Sequence, residues 1–518
     1  MDRRPCHGPY PGTVSEKVVP EVVGGVTGPQ QVNPHAVRPA GRVGRVWRQR
    51  ASEVVRSASP PTLALGTRLG GDEAVSQRQA RAVIDLALRV GEAMLSTGAS
   101  AADCVASVLR LMTAYGVRSA HIDVTFTSIT VSIHRGLHED PLSVMRVIPG
   151  RAPDYSRLEG VQGLLDDIVA SAEDGDEAMP IDVARARLTR VLESPHPYQR
   201  WVVTVGFALL AVGVVMLFGA APGMWVAAAL SAALVDRVQR VLYTTGVAAF
   251  FTQAVSAAVP TTIALGLHWL ASVDMPVPGV RSPSLVVISG IVVLLAGLGV
   301  MGAAQDALDG YFVTAGARGM EVLLMTAGIA VGVAVVIGTA NRFGVDMEVS
   351  PFVALGGNPL LGVVGAMLVA LGFCLSTYTG PRTTLVSMAV AAGGWVVFEV
   401  GLALGLGGPE ATAVASAPVG VAAYAVHRRL RMPELAVGTA GIVSMLPGLA
   451  VYRAIYLILS DSAAVVGNAV LHFVTAVSTG MALAAGLSIG GFLARRRLGL
   501  DRAAQRARRR SRGRYVGD

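Results

Sequence analysis

A carboxylate inside an apolar run is the most chemically suggestive residue of this chain. Glu399 follows Val396-Val-Phe398 and precedes Val400-Gly-Leu-Ala-Leu404. A charge at such a place is costly in a bilayer unless it is neutral, paired or hydrated. Glu399 is therefore a candidate proton carrier, with a structural ion pair or an interfacial position as the plainer alternative. Arg453, at the end of another apolar run, could pair with Glu399 or hold an anionic carboxylate. Asp306 and Asp309 stand three apart, close together if helical, and could attract an ammonium group or simply end a solvated helix. Asn468 and His472 stand four apart and would share a polar helix face, unless His472 only hydrogen-bonds a neighbouring helix.

Backbone supplies a second kind of chemistry. Pro447-Gly448 interrupts an apolar segment, because proline lacks the amide donor and glycine tolerates unusual dihedrals. Carbonyls freed there could bind a polar ligand, although a packing kink has the same sequence signature. Such backbone is tolerated at membrane depth only against protein or a wet cavity. Pro260 and Pro418 mark comparable interruptions in two other segments.

The context of Pro447-Gly448 occurs twice. Gly441-Ile-Val-Ser-Met-Leu-Pro-Gly-Leu-Ala-Val451 repeats Gly290-Ile-Val-Val-Leu-Leu-Ala-Gly-Leu-Gly-Val300, lying 151 residues upstream, with seven of eleven positions identical. Thr326-Ala-Gly-Ile-Ala330 and Ser478-Thr-Gly-Met-Ala482 follow at nearly the same offset. Duplicated halves with Gly/Pro-interrupted segments point to a transporter whose site lies between them. The expected pathway residues are Gly297, Asp306, Asp309, Pro447, Gly448, Tyr452, Arg453, Asn468 and His472.

Composition agrees with a membrane location. The chain is 52% hydrophobic and 15% charged, with mean hydropathy +0.55, too apolar and too segmented for a soluble enzyme. Ten apolar segments follow Trp201, in runs near the roughly 20 residues of a spanning helix: 201–219, 222–235, 246–271, 284–304, 319–340, 352–376, 383–406, 411–426, 435–459 and 463–494. The second, from Pro222 to Val235, is short for a span. The net charge of +8 lies largely in a basic tail and in short loops. A cytoplasmic N-terminal domain puts Arg237, Arg240, Arg318, Arg382, Arg428, Arg429 and Arg431 inside and leaves Arg281 and Arg342 outside, as the positive-inside preference requires. Five spans per half is an odd number, so the two repeats would be inverted.

The expected organisation is thus a disordered extension (1–75), a cytoplasmic α/β domain (76–195), a first five-helix membrane repeat (196–345), a second (346–494) and a basic cytoplasmic tail (495–518). Within the α/β domain, Val83, Ile84, Ala87, Leu88, Val90, Gly91, Met94 and Leu95 mark one face of a helix. Gly98 stops it, and Ser100-Ala-Ala-Asp103 starts the next with a variant capping box. Gly116 ends that helix. Alternation at Ile122, Val124 and Phe126, then at Ile129, Val131 and Ile133, predicts two strands, with 143–148 a third; helices return over 157–172 and 181–192.

No cofactor or metal is called for. Cys6, Cys104 and Cys374 form no CxxC pair or disulfide framework. His121, Asp123, His134 and His138 lack ligand-like spacing. Ser128, Ser132, His121 and Asp123 include hydrolytic residue types, so a membrane-anchored hydrolase is the alternative function, but no nucleophile-elbow motif is present. Nor is there a Gly-x-x-x-x-Gly-Lys-Ser/Thr loop for an ATP-driven motor. Nucleic acid is not an expected partner, and a homo-oligomer is left open.

The chain resembles the threonine/serine exporter family. The resemblance rests on Leu88-Arg-Val-Gly-Glu-Ala-Met-Leu-Ser-Thr-Gly-Ala-Ser100, Tyr115-Gly116, the strand pair through Thr125 and Ser132, and Met445-Leu-Pro-Gly-Leu-Ala-Val-Tyr-Arg453, over roughly Ala80 to Ala494. It implies ten spanning helices, a cytoplasmic N-terminal domain and proton-driven export of threonine and serine; with the charge asymmetry, the expected location is the inner membrane with both termini inside. Ala296-Gly297 stands where the family often has Pro-Gly.

Overall fold

The computed structural model describes residues 77–117, 120–133, 140–173, 178–273, 275, 277–280, 283–294, 297–345, 358–430, 432–446, 450, 453–454, 457 and 466–513. Pro447, Gly448, Tyr452, His134, His138, Cys6, Arg281, Arg431 and the 1–75 extension lie outside them.

Residues before the first apolar segment form α1 (Gln77–Ser96), α2 (Ala101–Ala114), β1 (Ala120–Val124), β2 (Ser128–Ile133), β3 (Leu142–Val147), α3 (Tyr155–Glu173) and α4 (Ile181–Glu193). The strands form one antiparallel sheet in the order β1-β2-β3, with Ile122 opposite Val131 and Val131 opposite Val144. The period-two alternation buries Ile122, Val124, Ile129, Val131 and Ile133, and α1 and α2 pack on the strands. Gly98 and Gly116 close α1 and α2 at φ +101 and +81, where a side chain would be strained. Ser100 caps α2: its Oγ accepts from the Asp103 amide at 3.1 Å and donates to Asp103 Oδ2 at 2.9 Å. Phe126 lies in the turn after β1 rather than in the strand.

Then come α5 (Arg200–Leu217), α6 (Pro222–Thr244), α7 (Ala249–Ser272), α8 (Ser284–Leu294), α9 (Gly297–Leu308), α10 (Phe312–Arg342), α11 (Pro359–Ser376), α12 (Pro381–Ala403), α13 (Gly408–Leu430), α14 (Glu434–Ile442) with a 3-10 turn (Val443–Met445), and α15 (Val466–Gly513). Among the described residues, six helices are long and apolar enough to cross a membrane: α5, α7, α10, α11, α12 and the Gly467–Arg497 part of α15. The α8–α9 pair, bent by 44°, makes a seventh if it is one span. Helix α6 runs nine residues beyond the Pro222–Val235 segment expected from hydropathy. The extension is polar and finds partners, since Asp236 accepts from Thr204 Oγ1 at 2.7 Å and from Arg240 at 3.2 Å. The basic tail continues α15 to Gly513.

Helix pairings recur five segments apart. The contacts α5–α6, α6–α7, α6–α8, α7–α8, α5–α8 and α7–α10 have counterparts in α11–α12, α12–α13, α12–α14, α13–α14, α11–α14 and α13–α15. Helix α5 joins the two sets by packing on α11. A Cβ at Gly213 would lie 2.7 Å from the Gly365 carbonyl oxygen, and one at Gly206 would lie 2.8 Å from that of Gly372. Numbers rise on one helix as they fall on the other, so the pair is antiparallel. Small residues let the two backbones approach.

The N-terminal elements and the helices share one apolar core. Leu158, Ile168, Phe373, Trp395 and Met445 belong to the same buried cluster. Hydrogen bonds that fasten the junction include Thr314 Oγ1 to the Val124 carbonyl (3.1 Å), the Tyr155 amide to the Thr377 carbonyl (3.0 Å), Tyr198 Oη to the Thr379 carbonyl (2.9 Å), and Thr439 Oγ1 to Tyr155 Oη (3.1 Å).

Candidate functional site

The duplicated stretch is interrupted in both copies. In the first, α8 ends at Leu294 and α9 begins at Gly297. In the second, α14 ends at Ile442, turns through Val443–Met445, and reaches Leu446 in extended conformation. Aligned by sequence, Leu294 corresponds to Met445 and Gly297 to Gly448, so the two interruptions fall at matching positions. The glycines that open both copies sit tightly against the proline-bearing helices. A Cβ on Gly290 would meet the Pro260 ring at 2.5 Å, and one on Gly441 would meet Val419 at 2.7 Å, next to Pro418.

Between the interruptions lies a cavity of about 780 Å³. Val292, Val293 and Gly299 line it from the first break, and Val443, Ser444 and Leu446 from the second. Its walls are mostly aliphatic and aromatic, including Phe207, Phe373, Trp395 and Phe398. A mostly apolar cavity with a few converging polar groups is the usual form of a small-molecule site. The polar groups include Gln305, Arg318, Glu321, Thr439, Ser444 and Arg453. Ser444 Oγ is enclosed without a hydrogen-bond partner among the described residues. That leaves a donor and an acceptor for a ligand to use.

Of the residues expected from sequence, Arg453 lines the cavity and Gly297 opens α9 at the first break. Asp306 is placed differently. It is fully buried, with Oδ1 accepting the Ala101 amide at 3.2 Å and Oδ2 at 3.2 Å from Arg318 Nη1. Ala101 is the first residue of α2, so Asp306 satisfies an otherwise orphaned amide at a helix N-terminus, where negative charge is favoured. Its neighbour Gln305, one helix step away, faces the cavity. Asp309 sits half-buried in the turn after α9. Burial, followed by the nearby Asp103 and Asp306, raises its carboxyl from 3.8 to about 6. Asn468 is exposed and His472 half-buried on α15, whereas Thr479 of that helix reaches the cavity.

Glu399 lies beside the cavity rather than in its wall. Its Oε1 accepts from Trp395 Nε1 at 2.9 Å, and Trp395 contributes to the wall. Gly362 makes room for this pair, since a Cβ there would lie 2.6 Å from both atoms. Pro381 begins α12 next to the N-terminal elements, so Glu399 stands ~27 Å along the helix from them.

Sequence reasoning missed the residues contributed from before α5. Ser100, Arg151, Pro153 and Tyr155 close one end of the cavity. Only Ser100 had a signal, as a helix cap; Arg151 and Pro153 lie in an irregular connection whose pattern says nothing of what it covers. His121 and Asp123 are exposed on β1, and among the described residues no group of three or more His, Cys, Asp or Glu could hold a metal ion. Ser128 bonds Thr125 across the β1–β2 turn and Ser132 bonds Ser143, which gives the hydrolase alternative no support.

Comparison with known proteins fits this arrangement. A family model described as a putative threonine/serine exporter matches residues 85–340, and a second, described as Threonine/Serine exporter, ThrE, matches residues 362–493. The chain is 33% identical to a Mycobacterium tuberculosis protein named probable threonine/serine exporter, over 451 residues covering 85% of this chain and 82% of that one. It is 29% identical to the threonine/serine exporter of Corynebacterium glutamicum, over 450 residues covering 86% and 88%. No solved structure matches. With its interrupted helices, its shared cavity and these likenesses, the chain is a multi-pass membrane protein that belongs to the threonine/serine exporter family.

Proposed function

We propose that this protein exports threonine and serine as a proton-driven secondary transporter of the inner membrane, with ten spans in two inverted five-helix repeats. Residues 76–195 would form a cytoplasmic domain, and both termini would lie inside. The observation that carries the reading is one cavity lined jointly by the two interrupted copies of the duplicated stretch. The recurrence of helix pairings five segments apart and the antiparallel α5–α11 contact support the inverted duplication, and the relatives' names support the substrates.

In this reading a zwitterion of a few heavy atoms binds between the breaks. Freed backbone and the hydroxyl of Ser444 meet its hydroxyl and ammonium, while arginine meets its carboxylate. Pro447, Gly448 and Tyr452 belong to the second break, Gly297 to the first. Asp306 acts on the pathway indirectly, by fastening the end of α9; Asp309 stands in the turn just after it, and Asn468 and His472 flank the pathway from α15. Glu399 gains and loses the proton; its hydrogen bond to Trp395 ties its protonation to the cavity wall. Rocking of one set of helices against the other then exposes the site alternately.

The test is efflux of labelled threonine from preloaded proteoliposomes of known protein orientation, with and without an imposed proton gradient. Gradient-stimulated efflux is expected, and Glu399→Gln should remove the stimulation while the protein remains inserted. Stimulation that survives Glu399→Gln removes Glu399 from the coupling. No efflux of threonine or serine from folded wild-type protein removes the substrate assignment.

A further inference from the structure

The cavity end closed by the N-terminal elements is rich in charge. Arg151, Arg318 and Glu321 line it there. Arg318 already has its counter-charge in the buried Asp306, and Gly302 leaves the space in which its guanidinium lies against α9. Among the described residues no carboxylate forms an ion pair with Arg151. Instead Arg151 is held by its surroundings: Nη2 donates to the Phe126 carbonyl at 2.7 Å, and the guanidinium stacks 4.1 Å over the Phe126 ring. Its Nε is buried with no hydrogen-bond partner among the described residues.

Burial and the neighbouring Arg318 hold the Arg151 guanidinium down to about 10 from its usual 12.5. Two cations thus face the same end of one cavity, and one of them keeps a donor unused. A buried donor without an acceptor is costly, and charge-assisted bonds from guanidinium to carboxylate are among the strongest available. A bound carboxylate would satisfy the donor and relieve the repulsion between the two guanidinium groups together, whereas an ammonium set against those groups would do neither.

We propose that Arg151, with Arg318 beside it, forms the carboxylate-binding end of the transport cavity, so that the region before the first span takes part directly in substrate recognition. This rests on the exporter reading above. Glu321, on the same helix as Arg318 and three residues on, is placed to receive the ammonium of the same zwitterion. The stacking on Phe126 fixes the guanidinium plane before substrate arrives, which lowers the cost of ordering it.

The test uses the full-length protein in proteoliposomes. Arg151→Gln should raise the apparent KM for labelled threonine about 10- to 100-fold, the range of one charge-assisted hydrogen bond, with a much smaller change in kcat. Arg151→Lys should fall between it and wild type. Threoninamide, which lacks the carboxylate, should compete poorly in wild type and no worse in Arg151→Gln; a structural role alone would not change that discrimination. Independently of any variant's folding, phenylglyoxal labelling of wild-type protein, mapped by peptide mass spectrometry, should show Arg151 protected by threonine and not by threoninamide. Threonine export with an unchanged KM in Arg151→Gln, or equal labelling with both compounds, overturns the subsite alone. Absence of threonine export by wild type overturns the exporter reading and the subsite with it.

Discussion

The two halves solve the same problem with different residues. Both interrupt a helix at the cavity, but the second has Pro447-Gly448 at the place where the first has Ala296-Gly297. The helix α8 nevertheless ends at Leu294 and α9 restarts at Gly297 with a 44° bend. Proline is thus not required for the break, nor is it sufficient, since Pro260 and Pro418, expected to mark comparable interruptions, lie inside the unbroken α7 and α13. In the first half the far side of the break is anchored by tertiary contacts, since the end of α9 is held through Asp306 to Arg318 and to the N-terminus of α2. The second half has a weaker analogue, where Glu434 at the start of α14 meets Arg495 at 2.9 Å with both side chains partly exposed. One break carries a local signal in the chain, the Pro-Gly pair, while the other has none and is held by what packs against it.

The sharpest way to break this contrast is Asp306→Ala. It leaves Arg318 buried without its partner and should destabilise the protein by about 3–5 kcal/mol, read as a lowered Tm in detergent. A loss under about 1 kcal/mol would mean that the anchor does not hold the first half. Next in size, Pro447→Ala should let helix extend through the second break, since proline is ~3 kcal/mol worse than alanine in a helix. Export should fall about tenfold, the effect of roughly half that energy (~1.4 kcal/mol). The reverse change, Ala296→Pro, should cause a smaller loss; an equal or larger one would show that the first break relies on residues 295–296 remaining free of proline.

A smaller effect tests the turn after α9. The folded-state carboxyl of Asp309 lies at about 6, above its ordinary 3.8. Its contribution to stability is therefore fully present below about pH 4 and lost as pH rises through 6. Asp309→Asn should flatten the stability curve between pH 4 and 6 and raise stability at pH 7. A curve of unchanged shape would contradict the burial of this group. Smallest of all, Glu434→Gln should cost ~1 kcal/mol or less, as for other partly exposed ion pairs. A change in Tm as large as that of Asp306→Ala would erase the distinction between the halves.

What could be read from the residues follows from the range of the interactions involved. Hydrophobic periodicity and glycine stops placed α1, α2 and the three strands, because burial of alternate or every third and fourth residue is a local pattern. Ser100 declared itself as a cap for the same reason. Helix α6 ended later than its apolar run because Asp236 finds Thr204 on another helix, a partner hydropathy cannot register. Asp306 looked like a solvated helix end, yet the amide that binds it lies 205 residues away.

By itself, the sequence determined that this is a membrane protein and that a stretch of it is duplicated. These depend on composition and on short runs of residues. Only the tertiary structure decided that both interruptions face one cavity, that Gln305 rather than Asp306 lines it, and that Arg151 closes one end. Those outcomes depend on which distant backbones approach, and on which buried charges find partners across hundreds of residues. Local patterning does not encode such pairings; packing selects them.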